Sequence, residues 1–367
     1  MREILLSLPG REQSCRILIA PGLRRDLPQL LAPLNFPRQI FLVSDRRVAR
    51  LHGSAVTKIL QQGGYSPILL TTPVGERAKT WPVLQRLARE LLARGAHRGS
   101  LLMALGGGVV GDLTGFLASI FMRGAPVVQV PTTLLAMVDA AIGGKTAINL
   151  PEGKNLLGTF HQPRLVAVDP EFLETLPRAQ RLNGLAEVLK AGFIRDPDLL
   201  ERLARARSRL FRDQGELTDT IYRAVHIKAD VVAADEREAG LRRILNFGHT
   251  LGHALEAASR FRLPHGRAVA WGMAAALELS RRSAGLSQEE AAWGLRLLTD
   301  FGLLGRPPAL DRQSVLAALP LDKKRTEQGL ALVLLRRLGE PVIQEGVPAS
   351  LVAEAMDRVW GSEGSDQ

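Results

Sequence analysis

The chain has 367 residues, 46% apolar and 23% charged, which excludes a disordered, collagenous or coiled-coil protein and has room for about two domains. A single cysteine, Cys15, excludes an intrachain disulfide framework and a Cys-rich metal site and points to a reducing compartment. The net charge of +11 favours anionic partners, but the excess is scattered arginine and only 5% of residues are aromatic, so nucleic acid is set aside as the main partner.

The first nine residues lack an apolar run long enough for a signal peptide. The segments 15–20 and 39–44 have the short apolar pattern of strands. Residues 48–62 have helical spacing and stop at Gly63-Gly64. A strand is predicted over 66–70. An amphipathic helix follows over 81–94, with Leu84, Leu87, Ala88 and Leu91 on one face. Residues 100–122 are apolar enough to suggest a membrane span, but Asp112 falls in the middle, where it would cost a few kcal/mol. A buried strand leading into a buried helix accounts for the stretch better. Further strands are predicted over 127–130 and 166–168. Short apolar strands alternating with helices indicate a parallel sheet covered on both faces. The expected protein is soluble and cytoplasmic.

From about residue 178 the periodicity is helical: 184–194, 197–211, 216–234, 246–260, 267–283, 287–301, 312–318 and 348–359. Residues 330–335 and 341–343 have the pattern of a hairpin. The predicted architecture is an α/β domain with a mostly parallel sheet over 1–177, and an essentially all-α domain over 178–367.

The strongest local signal is the strand Leu101–Leu105 running into Gly106-Gly107-Gly108-Val109-Val110-Gly111-Asp112. Glycines let a backbone approach a pyrophosphate, and a helix N-terminus offers free N–H groups. The run does not follow the first strand, and no acidic residue follows about 20 positions on, so it departs from the usual dinucleotide fingerprint. An acidic candidate, Asp45, instead ends an earlier strand. Downstream come Pro131-Thr132-Thr133, then Asp139, Gly144-Lys145, and Gly153-Lys154-Asn155. Two lysines beside glycines, each with an asparagine nearby, favour an anion site over a solvated loop.

The helical half holds metal-ligand residue types. Glu187 and Lys190 lie three apart on one helical face, His249 and His253 four apart on another, and His265 opens a further helix. Without cysteines, a divalent ion would need histidine and carboxylate ligands. Two histidines at this spacing are more often structural, but four of the seven histidines fall between 226 and 265. Lys228, Glu238 and Arg242, upstream of these histidines, read alone as a solvated face, as does Asp322-Lys323-Lys324.

Taken in order, the motifs Gly-Gly-Gly-Val-Val-Gly-Asp, Pro-Thr-Thr-Leu-Leu, Gly-Gly-Lys-Thr-Ala, Gly-Lys-Asn, Gly-Leu-Ala-Glu-Val-Leu-Lys, Ala-Asp-Glu-Arg-Glu, Leu-Asn-Phe-Gly-His-Thr-Leu-Gly-His and His-Gly-Arg-Ala-Val-Ala resemble 3-dehydroquinate synthase, from about residue 40 to 285. Asp322-Lys323-Lys324 extends the match. The resemblance implies a dehydroquinate synthase-like fold, akin to iron-dependent alcohol dehydrogenases, with an NAD-binding domain followed by a helical metal- and substrate-binding domain. It implies a lyase of the shikimate pathway that converts 3-deoxy-arabino-heptulosonate 7-phosphate to 3-dehydroquinate and phosphate. NAD would be consumed and regenerated within one turnover, beside Zn2+ or Co2+.

The same resemblance implies the site residues. Metal ligands would be Glu187, His249 and His265. NAD would meet Asp45, Glu76, Lys79, Gly108, Val109, Val110, Gly111, Asp112, Thr132, Thr133, Lys145, Lys154, Phe172, Leu173, Glu174 and Thr175. Substrate would meet Arg123, Asp139, Lys145, Asn155, Lys190, Lys228, Arg242, Asn246, His253 and a lysine of the pair Lys323 and Lys324. Catalysis would fall to Lys145, Lys190, Glu238, Asn246 and His253, with His253 handling protons. Arg123 would reach the neighbouring subunit of a homodimer. Met137, Arg267, Val74 and the pair Arg46-Arg47 depart from residues common in the family. The nearest alternative is a sister cyclase acting on sedoheptulose 7-phosphate. That substrate lacks a carboxylate, whereas Lys228, Arg242 and Asn246, the partners a carboxylate would need, are all present.

Overall fold

A computed structural model of the chain describes residues 1–9, 14–319 and 329–361. It divides into two compact units, Met1–Arg181 with Arg212–Arg237, and Leu182–Phe211 with Glu238–Gln367.

The first unit is built on a seven-stranded sheet. Its strands are β1 (Arg2–Leu6), β2 (Cys15–Ile19), β3 (Gln39–Asp45), β4 (Ser66–Thr72), β5 (Leu101–Gly106), β6 (Val127–Pro131) and β9 (Leu165–Val168). A separate hairpin is formed by β7 (Lys145–Leu150) and β8 (Gly153–Phe160). The sheet order is β1-β2-β9-β6-β5-β3-β4, and every neighbouring pair is parallel except β1 with β2. All of β5 is buried, as expected of a central strand covered on both faces. On one side Phe41, Val43, Leu102 and Ala104 meet Leu84, Leu87 and Leu91 of the helix Trp81–Ala93 and Leu113, Phe116 and Leu117 of the helix Gly108–Ile120. Cys15 is buried in β2, and burial pushes its thiol up to about 12, so it is a core atom rather than a nucleophile.

The strands and helices predicted from periodicity are present, as is the hairpin of the second unit, β10 (Leu330–Arg337) with β11 (Glu340–Val347). Two features differ from the sequence reading. β1 and the β7–β8 hairpin were not foreseen. The chain is also not cut once near Pro177, because the helix Gln214–Ala234 packs in the first unit. Its Leu217, Ile221 and Val225 are buried, its Asp219 ion-pairs with Arg2 of β1, and the Arg2 guanidinium lies 4.8 Å from the Tyr222 ring.

The second unit is organised around the helix His265–Ser283, which is buried along most of its length. Its small residues, Ala268, Gly272 and Ala275, let the helix His249–Ala258 approach closely. A Cβ at Gly272 would lie 1.9 Å from the Gly248 carbonyl oxygen. Gly248 itself has φ +76°, a left-handed conformation at the residue before His249. No described helix is long and apolar enough to cross a membrane.

Candidate functional site

In the first unit the candidate residues follow the carboxyl ends of the parallel strands. β3 and β5 are neighbours, yet the chain leaves β3 for β4 on one side and leaves β5 for β6 on the other. Such a switch point opens a crevice beyond the strand ends, where open α/β sheets bind ligands. Asp45 ends β3 and Gly106 ends β5. The Asp45 carboxylate accepts from the amides of Arg47 at 2.8 Å and Val48 at 3.1 Å. Gly108 opens a 13-residue helix whose first amides face the crevice end of β5. The turn before it is tight, since a Cβ at Gly106 would lie 2.7 Å from the Val110 side chain.

The other strand ends add polar groups. Thr132, after β6, donates its amide to Gly106 at 2.9 Å, while its hydroxyl is buried with no hydrogen-bond partner among the described residues. Thr133 accepts from the Ala136 amide at 3.2 Å. After β9, residues 172–175 form a 3₁₀ turn in which Phe172 and Leu173 are buried and Glu174 and Thr175 exposed. The Thr175 hydroxyl lies 2.9 Å from Nε2 of His52, whose ring meets the Phe172 ring edge-on at 4.9 Å. His52 was not singled out in the sequence, because a lone histidine in a helical pattern carries no spacing signal.

The unforeseen hairpin gathers several expected residues. Lys79, 2% exposed, donates to Asp112 at 2.5 Å and to the Asn155 side chain. Asn149 donates to Glu76 at 2.8 Å and accepts the Asn155 amide at 3.0 Å. Burial pushes the Asp112 carboxyl up to about 6, against the pull of Lys79. Lys145 begins β7 and Lys154 lies in β8, so both lysines stand on a hairpin rather than in loops. Lys228, 9% exposed, ion-pairs with Asp139 and donates to its carbonyl at 2.7 Å. Arg123 is exposed at the end of a turn where Met122 and Arg123 both take left-handed φ, +47° and +67°, a strain that loops commonly hold at functional positions. Among the departures, Met137 is fully buried and serves the core, whereas Val74, Arg46 and Arg47 are exposed.

In the second unit the helix Arg178–Arg195 buries Glu187 and Lys190, which ion-pair across one turn. His249 and His265 are the first residues of their helices. The Asn183 side chain accepts the Gly266 amide at 2.5 Å, holding the start of the His265 helix against the Glu187 helix. Oε1 of Glu187 lies 3.5 Å from His249 Nε2 and 3.2 Å from His265 Nε2. The donor atoms of the three residues all lie within 4.8 Å of one another. Two imidazoles and a carboxylate at this spacing fit a divalent ion with open positions left for substrate. His253, exposed, places its ring 5.3 Å from that of His249. Glu256, one turn further and buried, lies 3.2 Å from His265 Nδ1. It was missed in the sequence, although its spacing of seven from His249 puts it on the same helical face. Asn246 donates to Glu238 at 2.7 Å, and Arg242 is 2% exposed on the turn between them. Lys323 and Lys324 lie outside the described residues.

Electrostatics in this trio oppose one another. Burial disfavours charge on Glu187, but Lys190, His249 and His265 outweigh it and hold the carboxyl well below the usual range. Burial and the Lys190 charge push His249 down to about 3, so its imidazole is neutral. Burial also works against charge on His265, yet hydrogen bonds to Glu187 and Glu256 raise it to about 10. In the metal-free trio the proton therefore sits on His265.

Two family profiles match the chain, 3-dehydroquinate synthase N-terminal over residues 69–183 and 3-dehydroquinate synthase C-terminal over residues 184–325. The 3-dehydroquinate synthase of Thermosynechococcus vestitus is 44% identical over 97% of this chain and 99% of its own length. Among solved structures, 2-epi-5-epi-valiolone synthase from Streptomyces hygroscopicus, with NAD+ and Zn2+ bound, matches with a TM-score of 0.87 at 29% identity, covering 96% of this chain and 98% of its own. A 2-deoxy-scyllo-inosose synthase complexed with carbaglucose-6-phosphate, NAD+ and Co2+ matches with a TM-score of 0.87 at 26% identity, over 97% of this chain and 100% of its own. An iron-containing alcohol dehydrogenase shares the fold alone, with a TM-score of 0.69 at 12% identity over 94% of this chain and 97% of its own.

Proposed function

Because the chain belongs to the 3-dehydroquinate synthase family, we propose that it converts 3-deoxy-arabino-heptulosonate 7-phosphate to 3-dehydroquinate and phosphate, a step of the shikimate pathway. The observation that carries this reading is the 44% identity along nearly the whole chain to a 3-dehydroquinate synthase, against 29% and 26% to the sister cyclases. The donor trio and the strand-end crevice supply the two cofactor sites the reaction needs.

In this reading Glu187, His249 and His265 hold a Zn2+ or Co2+ ion. The β3–β5 crevice takes NAD, with the pyrophosphate over Gly108 to Asp112, Asp45, Glu76 and Lys79 on the adenosine side, and Thr132, Thr133, Lys145, Lys154 and the 172–175 turn around it. The orphaned Thr132 hydroxyl is a buried group that such a ligand would satisfy. When bound, NAD supplies a reversible hydride acceptor and the ion a Lewis acid for neighbouring hydroxyls. The residues do the rest. Lys145, Lys190, Lys228 and Arg242 neutralise the substrate's phosphate and carboxylate, with a lysine of the 323–324 pair. Asp139 and Asn155 orient its hydroxyls. Asn246, held by Glu238, fixes the chain that must later close into a ring. His253 moves a proton at the face of the trio. A ketone at C5 acidifies the C6 proton, so that proton and phosphate leave together, and the balance over a turnover is one phosphate lost and one carbocycle gained.

The reading is tested by phosphate release with catalytic NAD and zinc, comparing 3-deoxy-arabino-heptulosonate 7-phosphate with sedoheptulose 7-phosphate. Release from the first without net NADH is expected. Release from the second alone would make the protein a sister cyclase and its carboxylate partners misassigned.

A cytoplasmic homodimer is part of the same proposal. Supporting it, Ile120, Met122, Leu156, Leu157 and Phe160 are exposed large apolar residues, on the end of the Gly108–Ile120 helix, the adjoining turn and β8, beside the strained Arg123. Leu156→Asp should halve the mass in sedimentation and lower turnover with it. An unchanged mass would place the dimer surface elsewhere.

A further inference from the structure

We propose that Glu256 is a positioning residue for the metal, acting through His265. The proposal rests on the reading of Glu187, His249 and His265 as ligands. An imidazole has two distinct nitrogens, and the partner of one decides how the other is presented. His265 Nε2 faces Glu187 at 3.2 Å, while Nδ1 faces Glu256 at 3.2 Å. A carboxylate at Nδ1 takes the N–H there and leaves the Nε2 lone pair for the ion, in the plane the carboxylate dictates.

His249 is held in the same way by a different kind of group. Its Nδ1 lies 3.2 Å from the Phe247 carbonyl, and its Nε2 faces Glu187 at 3.5 Å. Each histidine of the trio thus has an acceptor behind it. Behind His249 it is backbone and part of the fold; behind His265 it is a side chain. Glu256 is 6% exposed, and its main chain is tied down. Its carbonyl accepts from the Phe261 amide at 2.7 Å and from the Ser259 hydroxyl at 2.8 Å, and that hydroxyl accepts the Leu263 amide at 3.1 Å. These bonds fix the turn leading from the Glu256 helix to His265, and so the distance across which the carboxylate reaches. Burying a carboxylate costs free energy unless it is partnered, and the imidazole of a ligand is such a partner.

The test is zinc retention by the reconstituted holoenzyme, read as transfer to a chromogenic chelator, together with the visible spectrum of the cobalt-loaded protein. Glu256→Ala should weaken zinc by about 10- to 100-fold and shift the cobalt spectrum. Glu256→Gln keeps the volume and an acceptor oxygen, so it should lose less and restore part of the spectrum. Two results would overturn the proposal: wild-type affinity and spectrum in Glu256→Ala, or a loss in Glu256→Gln as large as that in Glu256→Ala. A second zinc equivalent that disappears in Glu256→Ala while the first is unchanged would also overturn it, making Glu256, His253 and His265 a separate ligand set. If the wild-type protein holds no zinc, the ligand reading itself fails, which is a different outcome from unchanged affinity in the variant.

Discussion

His265→Ala should leave the protein folded, strip the divalent ion, and abolish phosphate release. The residue is the first of its helix and its side chain is 26% exposed, so truncation opens no core cavity. Glu187 keeps its ion pair with Lys190; Glu256 gives up its pairing with His265, which costs some stability without opening the core. What disappears is one donor of three. A catalytic ion contributes several kcal/mol to the stabilisation of developing charge, which corresponds to a loss of about a thousandfold or more in rate. Elemental analysis and a phosphate-release assay on the same preparation check both parts. Full zinc occupancy in the variant would remove His265 from the ligand set.

Zinc affinity should rise with pH across the neutral range. The ion must bind deprotonated donors. Glu187 is already ionised and His249 already neutral, so His265, raised to about 10, is the one ligand that must surrender a proton. One proton is then released per ion, and affinity climbs about tenfold per pH unit below that value. The sign for the metal-free fold is the reverse. A histidine raised from 6.5 to about 10 contributes stability that is fully present below about 6.5 and is lost as pH rises through about 10. Metal-free and zinc-loaded melting temperatures should therefore separate as pH rises. Calorimetric titration in buffers of different ionisation enthalpy counts the proton directly. An affinity independent of pH between 6 and 9 would contradict the assigned ionisation.

Much of the fold was legible because its main signals are local. β5 is apolar throughout and the Trp81–Ala93 helix carries leucines at helical spacing, so each declares its type without reference to its neighbours. The hairpin Lys145–Phe160 was hidden for the opposite reason. Most of β8 is exposed, so its residues need no alternation of apolar and polar side chains, and the glycines at 143, 144 and 153 speak of loops. The allegiance of Gln214–Ala234 was equally silent, since helical periodicity states that a face is buried and not against what. The site divides along the same line. His249 and His253 announce themselves by spacing. Glu187 and His265 stand 78 positions apart and meet only through the packing of three helices. Glu256 was within reach of the same spacing argument, but an acidic residue on a helix is ordinarily read as solvated.

Where the His249 and His265 helices cross, main chain meets main chain at Gly248 and Gly272, with no room for a methyl group between them. Side chains at a helix crossing can repack and shift their helices by fractions of an ångström; two backbones in contact have nothing left to repack. The gap between the two imidazoles is thereby a property of peptide geometry, fixed before any ion arrives. The core around the crossing can drift in sequence without retuning the donor spacing, while a single methyl at Gly272 would wedge the two donors apart.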